Sequence, residues 1–177
     1  MLRIAVSAML STGTDHPTAP VHVELPLSGL ADDAAIQGAR ILLAEDNPIN
    51  QEVVAALLEH VGATVCRAGN GQETLDALQR ERFDCVPIDV QMPVMDGLEA
   101  VRRIRANPLV AATPVLALTA NASDADRQLC LAAGMDDFVT KPVIPAMLYA
   151  MLARWRVRRS TGPAGASAAA VAEPSAR

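Results

Sequence analysis

Aromatic side chains are nearly absent: two Phe, one Tyr and one Trp in 177 residues. A packed core has to come from Leu, Val, Ile and Met, in a chain whose apolar half is rich in alanine. No stretch reaches the roughly 18 unbroken apolar residues of a membrane span, so no membrane contact is expected. The opening MLRIAVSAML has one Arg and a short apolar run, a poor secretory signal. Cysteine is scarce too. Cys66, Cys85 and Cys130 are odd in number, widely spaced and without a CxxC pair. That suits reduced thiols in a cytoplasmic protein, not a disulfide frame or a zinc site. Positive charge is in deficit, 15 Lys and Arg against 20 Asp and Glu, so a nucleic-acid surface is not expected. His16, His22 and His60 share no metal-ligand spacing and match no phosphohistidine motif.

The length allows one ordinary domain with flanking segments. Residues 1–38 show no sustained period, apart from the strand-like alternation VHVELPL, and read as a poorly structured segment or linker. Residues 157–177 are rich in Ala, Gly, Ser and Pro and read as a disordered tail. Between them, short apolar runs alternate with helical periods. ARILLAE, ATVCRA, FDCVPID, PVLALTA and DDFVT read as five strands. Asn47-Pro48 starts a first helix with a stripe through Val53, Val54, Leu57, Leu58 and Val61, ended by Gly62. Leu75 and Leu78 mark a second helix, and Leu98, Val101 and Ile104 a third. A fourth, capped by Ser123 and ended by Gly134, is marked by Leu129, Leu131 and Ala132, and a fifth runs from Pro145 to Trp155. This alternation predicts an α/β fold, a doubly wound parallel sheet covered on both faces by five helices. Right-handed crossovers then bring the carboxyl ends of all five strands to one edge.

That edge collects chemistry. The first strand ends at Glu45-Asp46, the third at Asp89 and the fourth at Thr119, and Lys141 follows the fifth. Open α/β sheets bind ligands there. Three carboxylates held together repel, so a proton or a cation must enter. A hard divalent ion with oxygen ligands fits, and Mg²⁺ fits best because it keeps waters and binds through one or two carboxylates plus a phosphate. Asp89 is then a candidate nucleophile toward a phosphoryl group, with Lys141 and Thr119 on the phosphoryl oxygens. Taken singly, each residue has an ordinary structural explanation, as a helix cap, a β-former or a surface lysine. Their joint placement is what points to function. A GxGxxG after the first strand is missing, which removes a dinucleotide-binding reading.

The strings ILLAEDNPINQ, IDVQMPVMDGLEA, LALTANA and GMDDFVTKP resemble the signature segments of the response-regulator receiver domain, in the form found in hybrid sensor histidine kinases. The resemblance covers residues 39–156. It implies a flavodoxin-like sheet of order 2-1-3-4-5, with Asp89 as phosphoacceptor in a two-component phosphorelay. The donor would be the phosphohistidine of a histidine kinase or a histidine phosphotransfer protein. It further implies Mg²⁺ held by Asp46, Asp89 and the backbone carbonyl of Gln91, with Glu45 acting through water. Thr119 and Phe138 would form a switch pair, and the Lys141–Pro142 peptide would be cis. A single Lys–phosphate contact near a surface supplies at most about 4 kcal/mol. A near-complete two-state switch needs about 5.5 kcal/mol, so metal, Lys141 and Thr119 must act together. The switched surface would be the fourth helix, fifth strand and last helix. VHVELPL resembles the closing strand of a histidine-kinase ATP-binding domain, although no kinase catalytic boxes occur in this chain. The only enzymatic activity expected is Mg²⁺-dependent self-phosphorylation and self-dephosphorylation.

Two positions depart from the pattern. Phe138 lacks the ring hydroxyl that many receivers carry. Pro87 falls in the central strand two residues before Asp89, where it removes a ladder hydrogen bond worth about 1 kcal/mol and threatens the aim of that carboxylate. A receiver-like interaction module whose phosphate chemistry has lapsed is therefore the alternative. A hydrolase with an aspartate nucleophile ranks behind both, for want of a DxD after the third strand. Arg102, Arg103 and Arg105 read as the solvated side of the third helix. Arg154, Arg156, Arg158 and Arg159 read as a basic helix end.

Overall fold

A computed structural model of the chain describes residues 34–121 and 123–160, with side chains as far as Trp155. VHVELPL and the tail beyond residue 160 lie outside the described residues. Five strands are present: β1 (Arg40–Ala44), β2 (Thr64–Ala68), β3 (Val86–Asp89), β4 (Val115–Thr119) and β5 (Asp137–Thr140). They alternate with α1 (Pro48–His60), α2 (Gly71–Arg80), α3 (Gly97–Ala106), α4 (Asp124–Ala133) and α5 (Pro145–Ser160). A short helical turn at 34–36 precedes β1 and buries Ile36. All pairings are parallel and the order is β2-β1-β3-β4-β5, the expected flavodoxin-like arrangement. Among the described residues, no helix is long and apolar enough to cross a membrane.

Period-two alternation divides the strand residues between two cores. Ile41, Leu43, Leu116, Leu118 and Val139 face Val54, Leu57 and Leu58 of α1 and Leu148 and Leu152 of α5. Leu42, Ala44, Val86, Ile88 and Ala117 face the opposite way, onto Leu78 of α2 and Val101 and Ile104 of α3. The Tyr149 hydroxyl donates to the Leu57 carbonyl at 2.8 Å and joins the helices on the first face. Local signals set the helix starts. The Asn47 side chain accepts from the Ile49 and Asn50 amides, and Asn70, Asp96 and Ser123 cap α2, α3 and α4. Gly134, at φ +100°, closes α4 in a left-handed turn.

Two expectations change. Leu129 and Leu131 do not mark the inner side of α4. Both are exposed, and Cys130 and Ala133 are buried instead. Residues two apart on a helix sit on nearly opposite sides, whereas positions three apart share a face. Arg105 is not a solvated surface group either. Arg102 and Arg103 do stay outside, paired with Glu99. Arg105 donates to the carbonyls of Gly134, Ala111 and Thr113 and pairs with Asp136 at 2.6 Å, bracing α3, the start of β4 and the end of α4 together.

Pro87 sits in β3 without shifting it. The Val86 and Val90 amides donate toward β4, to Pro114 and Leu118, so the amide that Pro87 lacks would face β1. The β3–β4 ladder is continuous through Pro87–Leu116. On the β1 side, pairing interrupts between the Ile41–Cys85 bridge and Ala44–Ile88, but the same offset of 44 residues holds on both sides. Asp89 thus keeps its register.

Candidate functional site

β1 and β3 lie side by side, so their carboxyl ends deliver acids to one place. Carboxylate oxygens of Glu45, Asp46 and Asp89 all lie within 4.8 Å of one another. Glu45 is 1 % exposed, Asp89 is buried and Asp46 is open to solvent. Lys141, delivered by β5 from the far side of β4, puts its ammonium between two of them. Its Nζ is 2.6 Å from Glu45 Oε2 and bonds Asp89 Oδ2. Its backbone amide donates to the Thr119 carbonyl at 2.7 Å, and the peptide to Pro142 is cis, as the resemblance implied.

Burial by itself would lower the Lys141 pKa. The hydrogen bonds and charges of Asp89 and Glu45 outweigh that and hold it above the ordinary lysine value, so the ammonium stays charged. Three carboxylates against one ammonium leave two uncompensated negative charges. The donor set is all oxygen, half-open, and short of positive charge by the amount a divalent cation carries. The residues fit a hard divalent ion on charge and ligand chemistry.

The remaining predicted residues take their places around this cluster. The Gln91 amide donates to Asp89 Oδ1 at 3.1 Å, which fixes the carboxylate's rotation. A cleft runs from Asp89, Gln91 and Lys141 past Thr119 to Asp126 and Leu129 of α4. Thr119 lines it from the end of β4, but its hydroxyl is turned to the next loop, donating to the Asn121 carbonyl at 3.0 Å and accepting from the Asn121 amide at 3.2 Å. Phe138 is half-buried on β5, packed against the second core and outside the walls of that cleft. Cys130 also lines it, its thiol pKa pushed up by burial first and by the Asp126 charge second.

Three contributors had no role in the sequence reading. Asn50 Nδ2 donates to Glu45 Oε1 at 3.1 Å, and Gln51 Nε2 bridges the carbonyls of Glu45 and Ala68, tying β1 to β2 where the acids emerge. Helical spacing could have suggested them, since both lie in the first turn of the helix that follows the acids. Gly97 is the third. A Cβ there would come within 2.2 Å of the Asp89 carbonyl oxygen, so α3 starts against the end of β3 only because that side chain is missing.

Comparison with known proteins agrees with this geometry. The sensor histidine kinase GacS of Pseudomonas protegens is 40 % identical over 133 residues, 72 % of this chain and 14 % of GacS. The chain thus spans about one-seventh of that relative's length. The receiver domain of a sensor histidine kinase from Pseudomonas aeruginosa PAO1, crystallised with a magnesium ion coordinated in its active site cleft, is 42 % identical with a TM-score of 0.65. That match covers 68 % of this chain and 98 % of that one. A receiver domain of a Saccharomyces cerevisiae response regulator, co-crystallised with a histidine phosphotransfer signaling protein, is 28 % identical with a TM-score of 0.66. It covers 72 % of this chain and 95 % of that one. The profile of the response regulator receiver domain matches residues 41–153. With that sheet order and these acids at its carboxyl edge, the chain belongs to the response-regulator receiver-domain family, in the form carried by hybrid sensor kinases.

Proposed function

We propose that Asp89 accepts a phosphoryl group from the phosphohistidine of a histidine kinase or a histidine phosphotransfer protein, and that residues 39–156 act as a switched protein-interaction module of a cytoplasmic phosphorelay. The carrying observation is the cluster of Glu45, Asp46 and Asp89 bridged by Lys141. A carboxylate oxygen of Asp89 attacks phosphorus as the P–N bond to the donor imidazole breaks. The electron pair of that bond returns to the ring nitrogen, which takes a proton. Asp46, Asp89 and the Gln91 carbonyl would hold Mg²⁺, with Glu45 acting through water. Bound there, Mg²⁺ neutralises charge on the transferring oxygens. Lys141 pairs with one phosphoryl oxygen, and the Thr119 hydroxyl leaves Asn121 to donate to another. Water attack on the aspartyl phosphate later returns the free carboxylate and inorganic phosphate. The unshifted register of β3 supports this reading over a lapsed module, because Pro87 leaves the aim of Asp89 intact.

The test uses beryllofluoride, a phosphoryl mimic, with Mg²⁺. At about 100 times its dissociation constant, a ligand specific to the native state stabilises by about 2.7 kcal/mol. That should raise the thermal midpoint by several degrees, with no rise in Asp89→Asn. Mg²⁺ alone should give a smaller rise that Asp46→Asn loses. No beryllofluoride shift in the parent, or an equal one in Asp89→Asn, refutes the assignment.

A further inference from the structure

We propose that Arg127 of α4 is a latch on the switch ring, holding Phe138 in its unphosphorylated position by stacking its guanidinium over the aromatic face. The inference rests on the phosphoacceptor reading and adds a regulatory residue to it. Arg127 Cζ lies 5.1 Å from the centroid of the Phe138 ring. That is within the range where a cation is attracted to the negative face of an arene. The side chain is exposed, and among the described residues no carboxylate oxygen lies within 4 Å of it. The ring is thus its main partner, not an incidental neighbour of an ion pair. Phe138 has no hydroxyl with which to anchor either position, so a contact to its face is the means left for biasing it.

The placement links the latch to the site. Arg127 lies in the first turns of α4, and its amide bonds the carbonyl of the cap residue Ser123. The loop leading into that cap contains Asn121, which holds the Thr119 hydroxyl. When Thr119 turns to a phosphoryl group, the loop loses those two bonds. The first turn of α4 is then free to shift, and the guanidinium moves off the ring. The far end of α4 stays fixed by Arg105 on the Gly134 carbonyl, so displacement concentrates at the Arg127 end. On β5 the ring's neighbour Asp137 accepts from Trp155 Nε1 at 3.1 Å and pairs with Arg154. Ring and latch lie on the α4 side of β5, and Asp137 ties the other side of the same strand to α5.

An exposed cation–π contact is worth about two- to fivefold in a two-state ratio, the equivalent of about 0.5–1 kcal/mol. Arg127→Gln should raise the population of the switched state by that factor. It should then tighten the apparent dissociation constant for beryllofluoride with Mg²⁺, read by titration calorimetry, by the same two- to fivefold. Arg127→Lys keeps a cation over the ring and should stay near the parent. In a Phe138→Leu background, Arg127→Gln should have no effect, since the pair is coupled only through the ring. Unchanged or weakened binding in Arg127→Gln, or the same change in the Phe138→Leu background, overturns the latch while leaving the phosphoacceptor site standing. No binding by the parent overturns the phosphoacceptor reading and the latch with it.

Discussion

Replacing Lys141 with Met keeps an unbranched side chain nearly as long and deletes one positive charge from the centre of the site. Glu45, whose side chain is 1 % exposed, then loses the ammonium that sits 2.6 Å from its Oε2. Asp89 loses the same partner. Two carboxylates no more than 4.8 Å apart repel by at least about 3.5 kcal/mol at an effective dielectric constant of 20. Removing one partner of a fully buried pair costs about 3–5 kcal/mol. Lys141 is 21 % exposed and Asp89 11 %, so solvent trims the loss to about 2–3 kcal/mol. For a domain of this size that lowers the thermal midpoint by about 8–12 °C.

The reasoning fixes two further outcomes. Mg²⁺ should stabilise Lys141→Met more than the parent, because the ion enters a pocket with one more uncompensated negative charge. Adding Glu45→Gln to Lys141→Met should recover at least half of the loss. The pH dependence follows from the raised pKa of Lys141. A cation whose folded pKa lies above its unfolded value of about 10.4 contributes fully below that pH and loses its contribution above it. The gap between parent and Lys141→Met should therefore stay constant from about pH 6 to 9 and close only beyond about 10.4. Calorimetric or circular-dichroism melts in metal-free buffer decide the matter. A midpoint within about 2 °C of the parent, or a Mg²⁺ rise no larger in Lys141→Met, would show that Lys141 does not hold these acids together.

Two other perturbations probe neighbouring features. Gly97→Ala drives a methyl group into the Asp89 carbonyl oxygen. Backbone cannot yield as a side-chain tip does, so urea unfolding should show a loss of about 2–3 kcal/mol; a loss under about 1 kcal/mol would mean that α3 has room to slide. A thiol reagent at pH 7 should find one fast group, Cys66, and two slow ones, Cys85 and Cys130. Because burial and then Asp126 raise the Cys130 pKa, that thiol should remain slow as the pH passes through about 8.5, until the protein unfolds. A fast Cys130 at neutral pH would contradict the packing of α4.

What could be read from the chain, and what could not, divides along a physical line. Glu45, Asp46, Asp89, Thr119 and Lys141 were visible because charged and hydroxyl groups at strand ends break an apolar pattern that packing would otherwise continue. The five strands were visible for the complementary reason, as short apolar runs between turn residues. Gln51, Gly97 and Arg105 act on backbone carbonyls of other elements, or by leaving space for one. Their identity alone carries no sign of the partner, since every residue offers a carbonyl. Arg105 illustrates this most clearly. It shares a helix and a residue type with Arg102 and Arg103, yet only its position on the helix points it at the ends of α4 and the loop before β4. The inner side of α4 is not marked by its leucines, because Leu129 and Leu131 lie two apart and both face outward. Cys130 and Ala133, small and three apart, are what fits against the core there.

The same contacts explain how a sheet tolerates such an edge. Two uncompensated negative charges at the carboxyl ends of the strands oppose folding, and the interrupted β1–β3 ladder at Pro87 gives no help. Compensation comes from elsewhere in the molecule. At the opposite edge, Arg105 satisfies three carbonyls and a carboxylate with one side chain, and Asp136 also takes the Val115 amide at 2.7 Å. These are charge-assisted bonds in half-buried surroundings, the class worth about 1.5–3 kcal/mol each. Rigidity is concentrated where no chemistry occurs. The β4–α4 loop, by contrast, is held by Asn121 and Ser123 through local bonds to residues two or three positions away. On the proposed reading, a phosphoryl group at Asp89 would therefore meet its weakest resistance along the path that leads through Thr119 to α4.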